Sequence, residues 1–234
     1  MRDWAAASPG GPVEAAESGG AVALHSAAFP VRELNRIVGL YDLAALDELA
    51  PLYGGGSFWV ALDPDAGLDD ELLARGFSSD YAWQKFERGL EPVDAPTDLR
   101  VVDAETPDDF GTAFAKGYGL PPALGEFAAT IVGRPRWHCF VAYDGIEPVA
   151  AGALFESRNA GWLGAAATRP SHRGRGAQSA VLSARVERAR ERGLRVLVTE
   201  TGVPRGGRPG ASYRNILRSG FEPTYVRPNY ASPS

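Results

Sequence analysis

A basic loop with two glycines precedes a long stretch of helix-forming residues in the second half of the chain. Thr168–Gly193 reads TRPSHRGRGAQSAVLSARVERARERG. Gly174 and Gly176 would let the backbone approach a bound group closely, and the first turn of a helix offers unpaired N–H donors and a positive dipole end. Arginine side chains, here Arg169, Arg173 and Arg175, suit phosphate oxygens. We therefore expect a phosphate site at the start of this helix.

The residues after the loop predict a helix held against a sheet. Apolar residues recur at helical spacing on one face, with arginines on the other; the apolar set is Ala177, Val181, Leu182, Val186 and Ala189. Gly193 is typical of a helix C-terminus. Arg195–Glu200 is a continuous β-branched run, as expected of a strand buried on both faces. A solvated basic helix face is the alternative, but it would not need two glycines at the helix start.

The flanking segments complete an α/β pattern. Residues 99–104 predict a strand, and helices are expected from Pro107 and from Pro121. Residues 137–168 predict three antiparallel strands joined by turns. After the buried strand, a loop rich in glycine and proline leads to a short helix, ASYRNILRS, and to a last strand from Phe221 to about Tyr230.

Two motifs in this order resemble the GNAT superfamily of acyl-CoA-dependent N-acyltransferases. They are RPSHRGRGAQSAVL and, after one strand, ASYRNILRSGF, and the resemblance covers about residues 98 to 230. It implies a mixed, mostly antiparallel central sheet flanked by helices. It also implies acetyl-CoA as co-substrate and transfer of an acetyl or other short acyl group to a primary amine of a small molecule or peptide.

The resemblance also implies where the coenzyme would bind. The diphosphate would lie on the loop, the pantetheine arm along the end of the preceding strand, and the short helix would add two residues. The implied positions are Ala166, Ala167, Thr168, Arg173, Gly174, Arg175, Gly176, Ala177, Gln178, Ser212 and Arg214.

Three positions depart from the family pattern. Gln178 stands where the family usually has glycine or alanine, and Pro209-Gly210 where an asparagine is common. Ile216 replaces the tyrosine that many members use as general acid. Because a thiol has a pKa near 8.5, a thiolate can leave without strong acid assistance, so this loss need not abolish activity.

Three residues are candidates for the proton transfers. Glu200 is preferred as general base because it ends the buried strand beside the loop, and strands of open sheets deliver functional groups at their C-terminal ends; Glu156 also ends a strand. Tyr213 is a candidate acid. A salt bridge from Glu200 to one of Arg205, Arg208 or Arg214, and a packing role for Tyr213, stay open as alternatives.

Composition excludes several classes of protein. The net charge of -5 gives no general attraction for nucleic acid or an anionic membrane. Cys139 is the only cysteine, which fits a reducing cytoplasm and excludes an internal disulfide. The histidines, His25, His138 and His172, lack metal-ligand spacing, so no metal is expected. The 24 basic residues include only two lysines, which suggests a bacterial source with a GC-rich genome. A monomer and a homodimer are equally compatible.

The first half predicts a degenerate copy of the second. It reads strand, helix, strand, helix ending at Gly76-Phe77, strand, which is the order of the second half without its glycine loop. We expect a disordered tail over residues 1–20, the copy over 21–90, a linker over 91–98 and the acyltransferase domain over 99–234. Chance similarity of two α/β halves is the alternative.

Two rival functions remain. A non-catalytic coenzyme A-binding or regulatory module would explain Ile216 and the missing asparagine. A nucleotide-binding oxidoreductase would read GRGAQS as part of a dinucleotide fingerprint, but Ser179 stands at the third glycine and the loop does not follow directly on an apolar strand.

Overall fold

The computed structural model describes residues 11–104, 106–204, 206 and 208–233. The chain divides into two compact units. The first unit comprises Met1–Gln84 with Tyr225–Ser234, and the second unit is Lys85–Thr224.

The described residues form both strands and helices. In chain order they are β1 (Glu14–Ser18), β2 (Ala21–His25), β3 (Arg36–Val38), α1 (Leu43–Leu49), β4 (Trp59–Ala61), α2 (Asp69–Ala74), β5 (Ser78–Ser79), β6 (Trp83–Arg88), β7 (Arg100–Asp103), α3 (Pro107–Tyr118), α4 (Pro122–Ala129), β8 (Trp137–Asp144), β9 (Glu147–Ser157), β10 (Ala160–Thr168), α5 (Ala177–Glu191), β11 (Val196–Gly202), α6 (Ala211–Arg218), β12 (Glu222–Arg227) and β13 (Asn229–Ala231).

A seven-stranded sheet forms the centre of the second unit. Its strand order is β12-β6-β11-β10-β9-β8-β7. Strands β7 to β10 pair antiparallel, whereas β10 and β11 pair parallel around the crossover helix α5. This arrangement confirms the predicted mixed, mostly antiparallel sheet flanked by helices.

Helices cover the central strands of this sheet. Consecutive residues of β9 from Val149 to Ala151 are at most 1 % exposed, so both faces there are buried. The apolar side of α5 packs in one core cluster with Leu163 and Leu197 of the sheet. On α3, Gly117 lies so close to β10 that a Cβ there would fall 2.5 Å from Cβ of Ala167.

One arginine of α5 departs from the predicted solvent face. Arg185 is only 3 % exposed and donates to the carbonyls of Val181 (3.1 Å) and Ala153 (3.4 Å). Gly152 makes room for it, since a Cβ there would lie 3.1 Å from Cζ of Arg185. Burial lowers the pKa of Arg185 to about 10.

The first unit repeats most of the strand order of the second, with one antiparallel strand fewer. Its six-stranded sheet runs β1-β2-β3-β4-β13-β5, with antiparallel pairs at β1–β2 and β2–β3 and a parallel pair at β3–β4 around α1. In each sheet, the strand next to the parallel pair comes from a distant part of the chain. This strand is β13, beside β4, in the first unit and β6, beside β11, in the second. The matching order supports the predicted duplication, while its boundaries at residues 21–90, 91–98 and 99–234 remain predictions.

Two predictions about the ends of the chain are wrong. Residues 14–18 of the expected disordered tail form β1, which pairs with β2 around a Gly19-Gly20 turn; residues 1–10 lie outside the described residues. The single last strand expected from Phe221 to Tyr230 is two strands in different sheets, β12 and β13. They part at Pro228, which has no N–H to donate to a ladder. No helix in the described ranges is long and apolar enough to span a membrane.

Candidate functional site

The glycine loop, residues 169–176, connects β10 to α5. Gly174 and Gly176 both have left-handed backbones, with φ of 82° and 78°. Gly176 is the N-cap of α5, and no side chain in the described part of the chain caps that helix. The first N–H groups of α5 therefore remain available to an anion.

The two glycines face different surroundings. A Cβ on Gly176 would lie 2.7 Å from the carbonyl oxygen of Pro96, so packing within the protein requires glycine there. A Cβ on Gly174 would meet no described atom within 4 Å. The open side of the loop is therefore at Gly174, where a ligand could approach the backbone.

The arginines of the loop have separate roles. Arg175 hydrogen-bonds Asp144 at 2.5 Å and Asp98 at 2.7 Å. Hydrogen bonds to these carboxylates, Asp144 first, raise the pKa of Arg175, and the same bonds lower the pKa of Asp98 and of Asp144. Arg169 pairs with Glu147. Arg173 is exposed, with Nη2 3.3 Å from the Gly117 carbonyl, and can turn its charge to a ligand.

Residues 93–98, part of the predicted linker, brace this loop. Oγ1 of Thr97 donates to the carbonyl of Arg175 at 3.0 Å, and Oγ of Ser183 on α5 donates to the carbonyl of Val93 at 2.9 Å. With the Asp98–Arg175 ion pair, these bonds hold the loop and the start of α5 in place. No pattern in the sequence indicated this brace.

A cleft opens between β10 and β11 beside the loop. The two strands pair only from Ala160 to Trp162 on β10, although both continue further. Thr199 then bonds the Leu163 carbonyl through its side chain at 2.8 Å. On its other edge, β10 leaves register with β9 between Gly164 and Ala167. We call the space beyond Trp162 the β10–β11 cleft.

The predicted arm-binding residues line the end of β10 at this cleft. Ala165 has φ of 49°, and neither Ala165 nor Ala166 has a partner in the register between β10 and β9. Oγ1 of Thr168 is buried and has no hydrogen-bond partner among the described residues. Unpaired donors next to an uncapped helix fit an extended polar ligand that runs from the loop into the cleft.

Glu200 lies on β11 in a mostly buried ion pair with Lys85 of β6. Their side chains are 14 % and 16 % exposed. Glu200 is two residues beyond Val198, the partner of Trp162, so Glu200 and Trp162 point to the same face of the sheet. The sequence could not reveal Lys85 as the partner of Glu200, because 115 residues separate the two. Arg205, one of the partners considered from the sequence, lies outside the described residues.

Glu156 is not brought to the loop. It pairs across the sheet with Gly161, seven residues before Thr168 on β10, or about 23 Å along a strand. Its carboxylate binds Nε2 of His138 and Nε of Arg192, both at 2.6 Å. Burial raises the pKa of Glu156, but the hydrogen bonds from Arg192 and His138 outweigh burial, so the pKa lies below its ordinary value. Its position argues against a catalytic role.

The short helix α6 contributes packing and a polar tie. The ring of Tyr213 packs edge-on against Phe86 with centroids 5.0 Å apart, which favours the packing interpretation. Ile216 is buried in the same core. Ser212 is exposed, and Arg214, also exposed, donates to the Pro209 carbonyl at 2.5 Å.

The amide of Gln178 connects α5 to α6. Its Oε1 accepts a hydrogen bond from Nδ2 of Asn215 at 2.5 Å. The residue that replaces the usual small one at this position therefore ties the first turn of α5 to α6.

The remaining candidates are structural. Cys139 is buried, and burial raises the pKa of its thiol to about 12, so the thiol stays protonated at neutral pH. His172 lies 3.3 Å from Asp144, which also binds Arg175. The described residues hold no group of three or more potential metal ligands.

One segment of the second unit matches a known family. Residues 103–206 match the sequence model of the acetyltransferase (GNAT) family. Residues 103–206 therefore form a domain of the acetyltransferase (GNAT) family. No curated protein matches the sequence.

Solved structures share the whole fold at low sequence identity. A GCN5-related N-acetyltransferase from Kribbella flavida is 17% identical, with 95% of this chain and 90% of that chain covered and a TM-score of 0.65. One from Sphaerobacter thermophilus is 17% identical, with coverage of 99% and 83% and a TM-score of 0.64. A tandem GNAT protein from the clavulanic acid biosynthesis pathway is 15% identical, with coverage of 93% and 82% and a TM-score of 0.66. They share the fold with this chain.

Proposed function

We propose that the protein transfers an acetyl or other short acyl group from acyl-CoA to a primary amine of a small molecule or peptide. The observation that carries the proposal is the uncapped N-terminus of α5 at Gly176, which opens beside Gly174 and continues into the β10–β11 cleft. A diphosphate with an extended arm fits this anion site and the cleft beside it, where the buried Thr168 hydroxyl has no partner among the described residues.

The first-turn N–H groups of α5 would bind the diphosphate, and the Arg173 guanidinium would add charge. Arg175 would contribute its backbone N–H, because its side chain is held by Asp98 and Asp144. Backbone groups of Ala166 and Ala167 and the buried hydroxyl of Thr168 would orient the arm. When bound, acyl-CoA supplies a thioester carbonyl that an amine can attack.

The residues of the cleft would then stabilise the developing oxyanion and accept the proton of the amine. Backbone N–H groups freed at Ala165 and Ala166 are donors for a developing oxyanion. The Glu200 carboxylate would take a proton from the amine, directly or through water. The neighbouring Lys85 ammonium favours the ionised carboxylate that this step requires. The packed ring of Tyr213 is not needed as an acid, since a thiolate is a sufficiently good leaving group.

A non-catalytic coenzyme A-binding module is the second candidate. The buried Ile216 favours it, because no hydroxyl occupies the position where many members of the family have their acid. A thiol-release assay with acetyl-CoA and a panel of primary amines separates the two functions. Amine-dependent release that Glu200→Gln reduces supports the transferase, whereas coenzyme binding without release from any amine supports the module.

The first unit is proposed to be a degenerate copy that does not bind the coenzyme. At the start of α1, the helix that corresponds to α5, the carboxylate of Asp42 accepts from the N–H of Ala44 at 2.9 Å. A negative side chain thus occupies the place where the second unit leaves its N–H groups free, and it would repel a phosphate.

The setting of the enzyme is also a proposal. A single buried cysteine fits the reducing cytoplasm of a bacterium. The net charge of -5 supports an amine rather than a nucleic acid as the acceptor partner. Both a monomer and a homodimer are compatible with this function.

A further inference from the structure

The side chain of Trp162 lies across Gly164 on β10. A Cβ built on Gly164 would overlap Cη2, Cζ2 and Cζ3 of the indole, so the six-membered ring occupies the space directly above this glycine. Residues two apart on a strand point to one face, which places ring and glycine on the same side of the sheet. Gly164 is therefore the position that allows the ring to lie flat along the strand.

This ring stands at the closed end of the β10–β11 cleft. Trp162 is the last residue of β10 that pairs with β11, and the backbone irregularity begins at Gly164. The adjacent residue Leu163 packs in the core on the α5 side. Since side chains alternate along a strand, Trp162 points to the opposite face, which Glu200 shares.

Neighbouring aromatic rings hold the indole in place. Phe155 of β9 pairs directly with Trp162 on one side and with Trp137 on the other. The Trp137 ring lies 4.8 Å from Phe155 and meets Trp162 edge-on at 6.3 Å. Arg136 stacks on Phe155 with its Cζ 4.8 Å from the ring centroid. The row crosses three strands on one face, so a swing of Trp162 would disrupt several contacts.

We infer that Trp162 is the end wall of the acyl pocket and restricts the enzyme to short acyl groups. This inference rests on the proposed function. An arm that enters from Thr168 and follows Ala166 and Ala165 meets the ring at Gly164, so a group beyond the thioester must stop against it. The ring offers dispersion contact to a methyl group but no hydrogen bond to a polar acyl chain. Acetyl and propionyl groups are the expected class.

Calorimetric titration of the full chain with free CoA and a series of acyl-CoAs tests this wall without knowledge of the acceptor. We expect wild type to bind acetyl-CoA and propionyl-CoA at least about tenfold more tightly than hexanoyl-CoA or octanoyl-CoA. Trp162→Ala should bind the long chains within about threefold of acetyl-CoA, with unchanged affinity for free CoA. Trp162→Phe, which keeps a ring, should retain most of the discrimination. Trp59→Ala in the first unit is the matched control and should behave as wild type.

The outcomes separate this inference from the proposed function. The inference about Trp162 is wrong if wild type binds acetyl-CoA and hexanoyl-CoA with equal affinity, or if Trp162→Ala discriminates between them as wild type does. In either case, intact binding of free CoA leaves the proposed function standing. No binding of free CoA to wild type overturns both. If Trp162→Ala does not fold by circular dichroism, Trp162→Leu carries the same comparison with a smaller loss of apolar volume.

Discussion

Arg175 of the glycine loop donates to Asp144, the last residue of β8, at 2.5 Å. A second bond from the same guanidinium to Asp98 at 2.7 Å ties the loop to the segment that precedes β7. The most basic part of the sequence thus contains one arginine whose charge supports the loop and another, Arg173, whose charge is exposed.

Loss of the Arg175 brace should weaken coenzyme binding indirectly. We expect Arg175→Ala to lower acetyl-CoA affinity about threefold to tenfold, because the loop must then be ordered on binding. Asp144→Asn should have a similar but smaller effect on acetyl-CoA affinity, although Asp144 is not expected to contact the ligand. Calorimetry on both variants checks the prediction. If Arg175→Ala lowers affinity while Asp144→Asn leaves loop rigidity and affinity unchanged, the side chain acts on the ligand directly.

The ion pairs of Arg175 with Asp98 and Asp144 should lose their stabilising effect only at acidic pH. Hydrogen bonds from Arg175 lower the pKa of both Asp98 and Asp144 from an ordinary value of 3.8. A carboxylate whose folded pKa is lowered contributes stability that is present above its unfolded pKa and is lost as pH falls through the folded pKa. The melting temperature of Asp144→Asn should therefore lie below that of wild type at pH 7, with the difference shrinking as pH falls below 3.8 and lost once pH falls through the lowered pKa of Asp144. Equal melting temperatures of the two proteins at pH 7 would contradict this role of Asp144.

The two loop glycines should respond differently to alanine. Both have positive φ, which costs an alanine about 1 kcal/mol or more. Gly176→Ala also collides with the Pro96 carbonyl at 2.7 Å, so we expect a larger loss, about 2–4 kcal/mol, and displacement of residues 96–98. Gly174→Ala has open space and should retain most stability, but its methyl group stands on the ligand side and should reduce acetyl-CoA affinity. Urea unfolding and calorimetry on the pair check this; equal stability losses would contradict it.

Glu200→Gln should separate catalysis from binding. General base catalysis contributes about 10² to 10⁴ in rate, so we expect kcat to fall at least about 100-fold with acetyl-CoA affinity unchanged. The measurement is thiol release with an accepted amine, alongside calorimetry.

Glu156→Gln is the comparison carboxylate. It should keep kcat within about twofold because it lies about 23 Å along β10 from the loop. A lower melting temperature is expected, since Glu156 holds His138 and Arg192. The reverse result, with activity lost in Glu156→Gln and kept in Glu200→Gln, would exchange their roles.

Local signals in the sequence predicted most of the second unit. The periodic apolar face of α5 and the glycines before it placed the loop between β10 and its helix, and the turn at Asp144-Gly145 set the strands that deliver it. These features depend on neighbours along the chain. The Lys85–Glu200 pair does not, because sheet order brings β6 beside β11.

Other features of the structure depend on contacts between residues that are distant in the sequence, which no local sequence pattern indicates. Arg185 belongs by sequence to the solvated face of α5, yet the missing side chain at Gly152 lets it lie against β9. Arg175 looked like a phosphate donor because its carboxylate partners are distant in sequence. Strand β1 was missed because the composition of the N-terminus suggested disorder, although Gly19-Gly20 is a hairpin signal.

Binding of the coenzyme at the glycine loop is the central claim, and calorimetric titration with acetyl-CoA tests it most directly. We predict saturable binding of acetyl-CoA to wild type with no binding of NAD. Arg173→Glu should bind at least about 100-fold more weakly because a negative charge replaces a phosphate donor, with unchanged circular dichroism and melting temperature. No binding to wild type, or the same affinity in Arg173→Glu, would contradict the claim.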